Sequence, residues 1–550
     1  MSRMGAVVHS AVWAAYGDAL GYITELADLA KVRRRTGRSH IGQLMEWTRD
    51  LPGRPPVSVK FPLGTYSDDT QLRLATGRAI RADGRFDVAA FAKVELPSWT
   101  NYALGAGISS KEAAFSLAKA STHWYSNFFD TKRADYRNGG GNGAAMRIQP
   151  HVWAAPVGTH HKAILRDVIR NAICTHGHPR GIIGAAFHAL CLHFYLVEER
   201  VANIGDLHDL ALVTEECWEI IEADPDLRLF WIPQLTADAD PRERFSECVF
   251  ELTNDIEKLR TLGGPGASYL DALKRIDLFD QGSRGSGTKT ALAAAWLAWQ
   301  FQDRGVHAAL VEAANALESD TDTIGTMAGA LMGCLAKSLP EEPVQDAEYI
   351  ISEAERLWKI SVRQADRSFG YPDLRSYKPP KNAVDAVFAD GANYVVAGLG
   401  NATPMADFVT RGDQSGDLRW LRLHTGQTIL AHIRQEPRLA SETTQQLFQA
   451  ARSLFDERRL PAPNARRDSG AAIKVNAGSR AAPVQSSDPP NRPLSIDQLA
   501  SAIIDNDHNA TELGAAILKL ASGPDEHYLE RVVSLSAIVA RSYRRRGVKR

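Results

Sequence analysis

Two short acidic clusters, Ser67-Asp68-Asp69-Thr70 and Asp320-Thr321-Asp322-Thr323, each open an apolar, helix-like run, some 250 residues apart. Their four carboxylates and several hydroxyls are hard oxygen donors, an inventory suited to a pair of Mg²⁺ or Mn²⁺ ions and poorly suited to zinc. One Asp, Ser or Thr at a helix start is an ordinary N-cap. Two adjacent carboxylates flanked by hydroxyls exceed what a cap needs, and they repel one another without a cation. A helix N-terminus also keeps carboxylates ionised. If the fold sets the clusters face to face they make a binuclear metal centre; if it does not, they are two helix caps.

Other segments carry chemistry too. In Ala15-Tyr-Gly-Asp-Ala-Leu-Gly-Tyr-Ile-Thr-Glu25, Asp18 and Glu25 are seven apart and share a face if the helix continues. Gly17 and Gly21 would let another backbone or a ligand approach. Asn138-Gly-Gly-Gly-Asn-Gly-Ala-Ala-Met-Arg147 has no bulky side chain before Met146. Its amides are expected to form an anion-binding nest, with Arg147 presented beside it, rather than a plain surface loop. Gly282-Ser-Arg-Gly-Ser-Gly-Thr-Lys-Thr290 fails as a nucleotide-binding P-loop, because Lys289 comes one place late and no strand precedes it. Cys174-Thr-His-Gly-His178 matches no zinc spacing, which leaves His176 and His178 as candidate substrate contacts.

The elements that must position these residues read as helices. Apolar residues at three- and four-residue spacing predict helices over 7–21, 70–82, 111–120, 162–173, 181–197, 206–222, 242–260, 290–302, 306–318 and 323–337. No stretch before residue 378 alternates convincingly with period two. Gly325, Ala328, Gly329, Ala330 and Gly333 weaken an isolated helix and so point to close helix packing. The pattern changes after Pro380. Residues 384–425 suggest a few short strands, followed by a helix near 441–457 and a Pro- and Ser-rich linker over 461–493. A helical piece over about 494–543 ends in Arg541-Ser-Tyr-Arg-Arg-Arg-Gly-Val-Lys-Arg550. That basic end is expected to be a solvated tail, with a partner or nucleic-acid contact as the minority expectation. The division expected is 1–378, 379–460, 461–493 and 494–550.

Composition bounds the class. A length of 550 residues fits three or four domains, or one large domain with appendages. A net charge of −1 supplies no global field towards nucleic acid or membrane. No uninterrupted apolar run reaches the ~20 residues of a membrane span, and the apolar stretch near the start meets Asp18 too soon for a signal peptide. Five scattered cysteines without a CxxC pair suit a reduced, cytoplasmic setting.

Taken in order, Gly-Asp18-Ala-Leu-Gly with Glu25, Tyr-Ser-Asp-Asp-Thr-Gln71, Gly-Asn-Gly-Ala-Ala-Met-Arg147, Thr-His-Gly-His-Pro179, Gly-Thr-Lys-Thr-Ala-Leu-Ala-Ala-Ala-Trp296 and Asp-Thr-Asp-Thr-Ile-Gly325 resemble the ADP-ribosylglycohydrolase family. The resemblance covers about residues 5–340. It implies an all-α orthogonal bundle, here with a small mixed α/β extension, and a binuclear Mg²⁺ or Mn²⁺ site. It implies hydrolysis of the bond joining ADP-ribose to an acceptor such as an arginine side chain, so the expected partner is an ADP-ribosylated protein or other acceptor. Ser67, Asp68, Asp69, Asp320, Asp322 and Thr323 match the family's metal ligands. Glu25 matches a glutamate proposed as acid/base, a role for which Asp69 also stands. Gly141, Asn142, Gly143 and Ala144 match the diphosphate loop, His176 the ribose-side loop, and Gly287 and Thr288 a second substrate loop. Glu318-Ser319 stands where the family usually has Gly-Gly, a change expected to narrow the cleft, and Lys289 lies where glycine is expected nearby. The competing function is a non-catalytic module that binds ADP-ribose or a nucleotide and acts through its C-terminal extension.

Overall fold

The computed structural model describes residues 2–51, 57–235, 240–264, 266–365, 367–413, 416–440, 496–506, 510–521, 531–536, 538–539 and 542. The chain forms two compact units, Met1–Pro461 and Ala462–Arg550. The first is a helical body carrying a sheet. Its main helices include Arg3–Tyr22, Asp68–Arg78, His161–Ile173, Pro179–Glu198, Pro241–Arg260, Gly287–Gln300, Thr321–Gly333 and Ala347–Ser361.

Local chemistry sets many of the helix boundaries. Asp28, Ser67, Asn203 and Asp240 cap helix starts through their side chains, and Pro179 and Pro241 occupy first-turn positions. The expected helix 206–222 breaks into Ile204–Val213 and Glu216–Ala223. There the Thr214 hydroxyl bonds back to the Ala211 carbonyl (2.6 Å), competing with helix continuation. Pro179–Glu198 has the length and hydropathy of a membrane span, but most of it is buried inside the body.

An antiparallel hairpin, β1 (Trp47–Leu51) and β2 (Val57–Phe61), corrects the expectation of no strand before residue 378. Arg49 and Asp50 occupy the middle of β1, so its alternation is too short to register by period alone. The sheet beyond residue 380 is larger than a few strands. β3 (Val387–Asp390), β4 (Asn393–Val396), β5 (Gly400–Asp413), β6 (Gly416–Leu423) and β7 (Thr428–Ile433) form a five-stranded antiparallel meander in chain order. It packs on the helical body: Trp420 meets Phe61 edge to face, and Ser98 Oγ and Asn101 Nδ2 donate to the carbonyls of Ala397 and His432. The second unit holds helices Ile496–Asp505 and Ala510–Ala521, and Ala500, Ile503, Leu535 and Val539 form its core. The helix expected near 441–457, the linker 461–493 and, Ser542 apart, the basic end 541–550 lie outside the described residues.

The core of the first unit is a seam between Arg3–Tyr22 and Thr321–Gly333, in which every residue of the second helix is buried. A methyl at Gly17 would lie 2.2 Å from the Gly325 carbonyl oxygen, and one at Gly329 would lie 2.3 Å from the Trp13 carbonyl oxygen. The small residues singled out in the sequence therefore allow backbone to meet backbone. All five cysteines are buried and free of disulfides.

Candidate metal and substrate cleft

The helix seam brings the acidic clusters together. Gly21 abuts Thr321 and Asp322, so that a methyl there would lie 2.4 Å from the Thr321 carbonyl oxygen. Thr321 Oγ1 donates to the Gly21 carbonyl (2.8 Å), and Thr24 Oγ1 donates to the Ala314 carbonyl (2.6 Å). The other acidic helix, Asp68–Arg78, is fastened to the same first helix by Asp18. The amides of Ser67 and Thr70 donate to Asp18 (2.8 Å each), and Thr70 Oγ1 adds a third bond (2.6 Å). Asp18 is fully buried with Arg73 nearby, so it serves as the peg that sets where Asp68 and Asp69 begin.

Capping does not account for the carboxylates. Ser67 is the cap of Asp68–Arg78, its hydroxyl accepting from the Asp69 amide (3.2 Å). Asp320 precedes Thr321–Gly333 without a side-chain cap bond; its Oδ2 instead accepts from Asn142 Nδ2 (2.7 Å). Across the seam, Thr323 Oγ1 donates to Asp69 Oδ1 (3.3 Å), which links the two clusters directly.

A cleft of ≈ 240 Å³ opens here, lined by Glu25, Asp68, Asp69, Asp320, Asp322 and Thr323 on one side. Gly141, Asn142, Gly143, His176, Gly285 and the segment Gly107–Ser110 line the rest. Ser67, Ala144, Gly287 and Thr288 are not among its lining residues, although Ser67 is buried directly beside Asp68. A larger cavity of ≈ 780 Å³, lined by Trp13, Tyr16, Arg304, His307 and Glu342 among others, contains none of the expected site residues.

The first helix stops at Tyr22, so Glu25 reaches the cleft from the turn that follows, not along a shared helical face with Asp18. Arg49 on β1 donates to Glu25 Oε2 (2.9 Å) and lies over the Tyr22 ring, which fixes the glutamate from the hairpin side. Burial pushes the Glu25 carboxyl above its usual range, against the pull of Arg49. Burial also raises Asp68, Asp69 and Asp322 well above theirs, and neighbouring carboxylates add to the effect: Glu25 on Asp68, Asp18 on Asp69, and Glu25 on Asp322. Arg49 on Glu25 and Lys111 near Asp68 offset only part of this crowding of carboxylates.

The two glycine runs meet each other. The Asn142 amide donates to the Gly285 carbonyl (2.9 Å) and the Gly287 amide to the Gly140 carbonyl (3.0 Å), bridging Gly141 to Ser286. Arg147 does not face an anion as expected. It is fully buried, and its guanidinium bonds Asn171, Thr175 and the Gly143 carbonyl (2.9 Å), so it braces the loop from behind. His176 lines the cleft with Nδ1 held by Thr175 Oγ1 (2.7 Å), and burial lowers its pKa to about 3, which keeps the ring neutral. His178 instead caps Pro179–Glu198, its ring accepting from the Arg180 amide (3.2 Å). Gly287 sits where a methyl would come within 2.6 Å of the Arg180 carbonyl, a packing position. Lys289 is drawn away by Asp255 (2.6 Å). Glu318 holds φ +70°, the left-handed conformation that favours glycine, but it is exposed and does not line the cleft, so it does not narrow it.

A hard divalent cation fits these residues chemically. Asp69 Oδ2 is buried without a hydrogen bond of good geometry, with the similarly unbonded Thr326 hydroxyl near it. A buried carboxylate oxygen left so is costly unless a cation meets it. Among the described residues, no three His, Cys, Asp or Glu side chains converge tightly enough to enclose an ion by themselves. The donor set that fits is mixed: Asp68, Asp69, Asp320 and Asp322 with the Thr323 and Ser67 hydroxyls.

Fold and cleft together define a helical protein with an acid-lined, glycine-walled pocket built on two helix starts. The chain belongs to the ADP-ribosylglycohydrolase family, whose sequence pattern matches residues 8–367. A solved structure described as an ADP-ribosylglycohydrolase-related protein complex is similar at 20% identity, over 65% of this chain and 99% of that one, with a TM-score of 0.40. No curated protein matches the chain.

Proposed function

We propose that this protein is a metal-dependent hydrolase that releases ADP-ribose from an ADP-ribosylated acceptor. The single observation that carries the proposal is the convergence of both acidic clusters and Glu25 on one cleft walled by the paired glycine loops. Family membership supports the substrate class.

In the reaction, the bond from the ribose anomeric carbon to the acceptor nitrogen or oxygen breaks with its electron pair leaving on the acceptor. A water oxygen forms the new bond to that carbon. Positive charge grows at the anomeric carbon in the transition state, and the buried carboxylates lie where they oppose it. Two Mg²⁺ or Mn²⁺ ions, held by Asp68, Asp69, Asp320, Asp322, Thr323 and Ser67, would supply Lewis acidity and a more acidic water. Glu25 is the proton carrier of choice over Asp69. It lines the cleft with only Arg49 bonded to its carboxylate, whereas Asp69 is engaged by Thr323 and pointed into the acidic cluster. Its raised pKa suits it to take a proton from water and pass it to the leaving atom. Neutral His176 and the Gly141 and Gly143 amides offer hydrogen bonds to the ribose and diphosphate, orienting the substrate away from the reacting atom.

A panel of acceptors carrying ADP-ribose on arginine, serine, a nucleic-acid base or a small molecule, assayed for free ADP-ribose with Mg²⁺, with Mn²⁺ and with chelator, tests this. Release from at least one acceptor, abolished by chelation, is expected. Binding of ADP-ribose without release from any acceptor would favour the non-catalytic module.

A further inference from the structure

The turn joining β6 to β7 holds both ends of the helix that carries Asp68 and Asp69. At the front, the Thr428 amide and Oγ1 donate to Asp346 Oδ2 and Oδ1 (2.6 Å each). Asp346 Oδ2 also accepts from the Tyr66 hydroxyl (2.7 Å), and Tyr66 directly precedes the Ser67-Asp68-Asp69 turn. At the back, Arg78, the last residue of the helix, forms a two-pronged pair with Glu95 (2.8 Å on each oxygen). Its Nη1 donates to Gln427 Oε1 (2.7 Å) and to the Tyr349 hydroxyl (3.2 Å), and the Tyr371 hydroxyl donates to Glu95 (2.6 Å). Gln427, Thr428, Tyr66, Asp346, Arg78 and Glu95 are all buried.

Two features separate this from ordinary docking of a sheet on a body. Asp346 stands at the cap position of Ala347–Ser361, yet its side chain makes no cap bond and is given over to Tyr66 and Thr428. It also holds φ +58°, a conformation that an L residue keeps only where its surroundings impose it. The adjacent residues Gln427 and Thr428 thus reach one helix from both ends, through connections that are buried and charged in part. Bonds of this kind lose strength steeply with misplacement in a low-dielectric interior.

We propose that Gln427 and Thr428 are positioning residues: through Arg78 and through Asp346–Tyr66 they set the placement of the helix start that presents Asp68 and Asp69. The sheet 387–433 is thereby part of the apparatus of the cleft and not an independent appendage. The proposal rests on the function given above, since it takes those carboxylates as the cation donors.

The test uses the full-length protein and the variants Thr428→Val, Thr428→Ser and Tyr66→Phe. It measures Mn²⁺ binding to the metal-free protein by calorimetry, amide hydrogen exchange over residues 67–71, and kcat and KM for ADP-ribose release. Thr428→Val and Tyr66→Phe are expected to weaken Mn²⁺ binding about tenfold, speed exchange over 67–71, and lower kcat with little change in KM. Thr428→Ser, which keeps the hydroxyl, is expected to behave as the natural protein does. Should Thr428→Val not fold, Tyr66→Phe, which removes one oxygen, decides alone. A lowered melting temperature with Mn²⁺ affinity, exchange over 67–71 and kcat all unchanged overturns the proposal. If the natural protein itself binds no Mn²⁺, the metal-dependent function falls, and the positioning role is judged by exchange: faster over 67–71 upholds it, unchanged overturns it.

Discussion

Asp18 shows at the residue scale how much of the cleft depends on a side chain that never touches it. Both of its oxygens accept from the backbone or hydroxyl of the Ser67–Thr70 turn. Asp18→Asn would set an amide N–H against one of those donors and remove the negative charge facing Arg73. The expected loss is about 3 kcal/mol of stability, read by chemical denaturation of the metal-free protein; a loss near zero would show that the peg is dispensable. The sequence singled out Asp18 and Glu25 as acidic neighbours that would share a face only if the helix continued past Tyr22, and it does not. The helix ends there because Thr24 and Thr321 draw the turn onto the partner helix, a tertiary effect invisible to periodicity. Arg147 was legible as a residue of the glycine loop, yet its direction was not. An arginine at the end of such a loop looks like a phosphate ligand until Asn171, 24 residues further on, is seen to occupy it.

At the scale of elements, the glycine seam determines whether the acidic clusters meet. The small residues over 325–333 were a readable sign of close packing, because they weaken a helix that stands alone. The choice of Arg3–Tyr22 as the partner came only with the fold. Gly325→Val is expected to cost about 3 kcal/mol or more, since even a methyl there would lie 2.5 Å from the Gly17 carbonyl oxygen. Gly42→Ala, at a glycine with open space around it, is expected to change stability by less than about 0.5 kcal/mol. Thermal melting of the two variants side by side checks this. Equal behaviour would mean that the seam is looser than its backbone contacts imply. The hairpin β1–β2, whose Arg49 orients Glu25, escaped notice for a different reason. β1 (Trp-Thr-Arg-Asp-Leu) has apolar residues only at its ends, and β2 (Val-Ser-Val-Lys-Phe), though it alternates, is only five residues long, too short to stand out by period.

For the whole molecule, the long-range partnership between helical body and sheet was the part least open to sequence reasoning. Glycine spacing and aromatic content announced strands after residue 384, but nothing local announced that Gln427 and Thr428 would bond to Arg78 and Asp346 far upstream. Truncation separates the two units. A chain ending at Pro461 keeps every contact of the first unit and is expected to melt as the full chain's first unit does. A chain ending at residue 380 exposes the apolar surface around Phe61 that met Trp420, takes Gln427 from Arg78 and Thr428 from Asp346, and is expected to be insoluble or inactive. A soluble, active product of that length would show the sheet to be an accessory. The central claim, that the two acidic clusters act as one cation-dependent hydrolytic site, is tested most directly by the rate of ADP-ribose release by Asp322→Asn beside the natural protein at saturating Mg²⁺ or Mn²⁺. The account predicts a folded variant whose release is lower by ~100-fold or more; release within a few-fold of the natural protein's would contradict it.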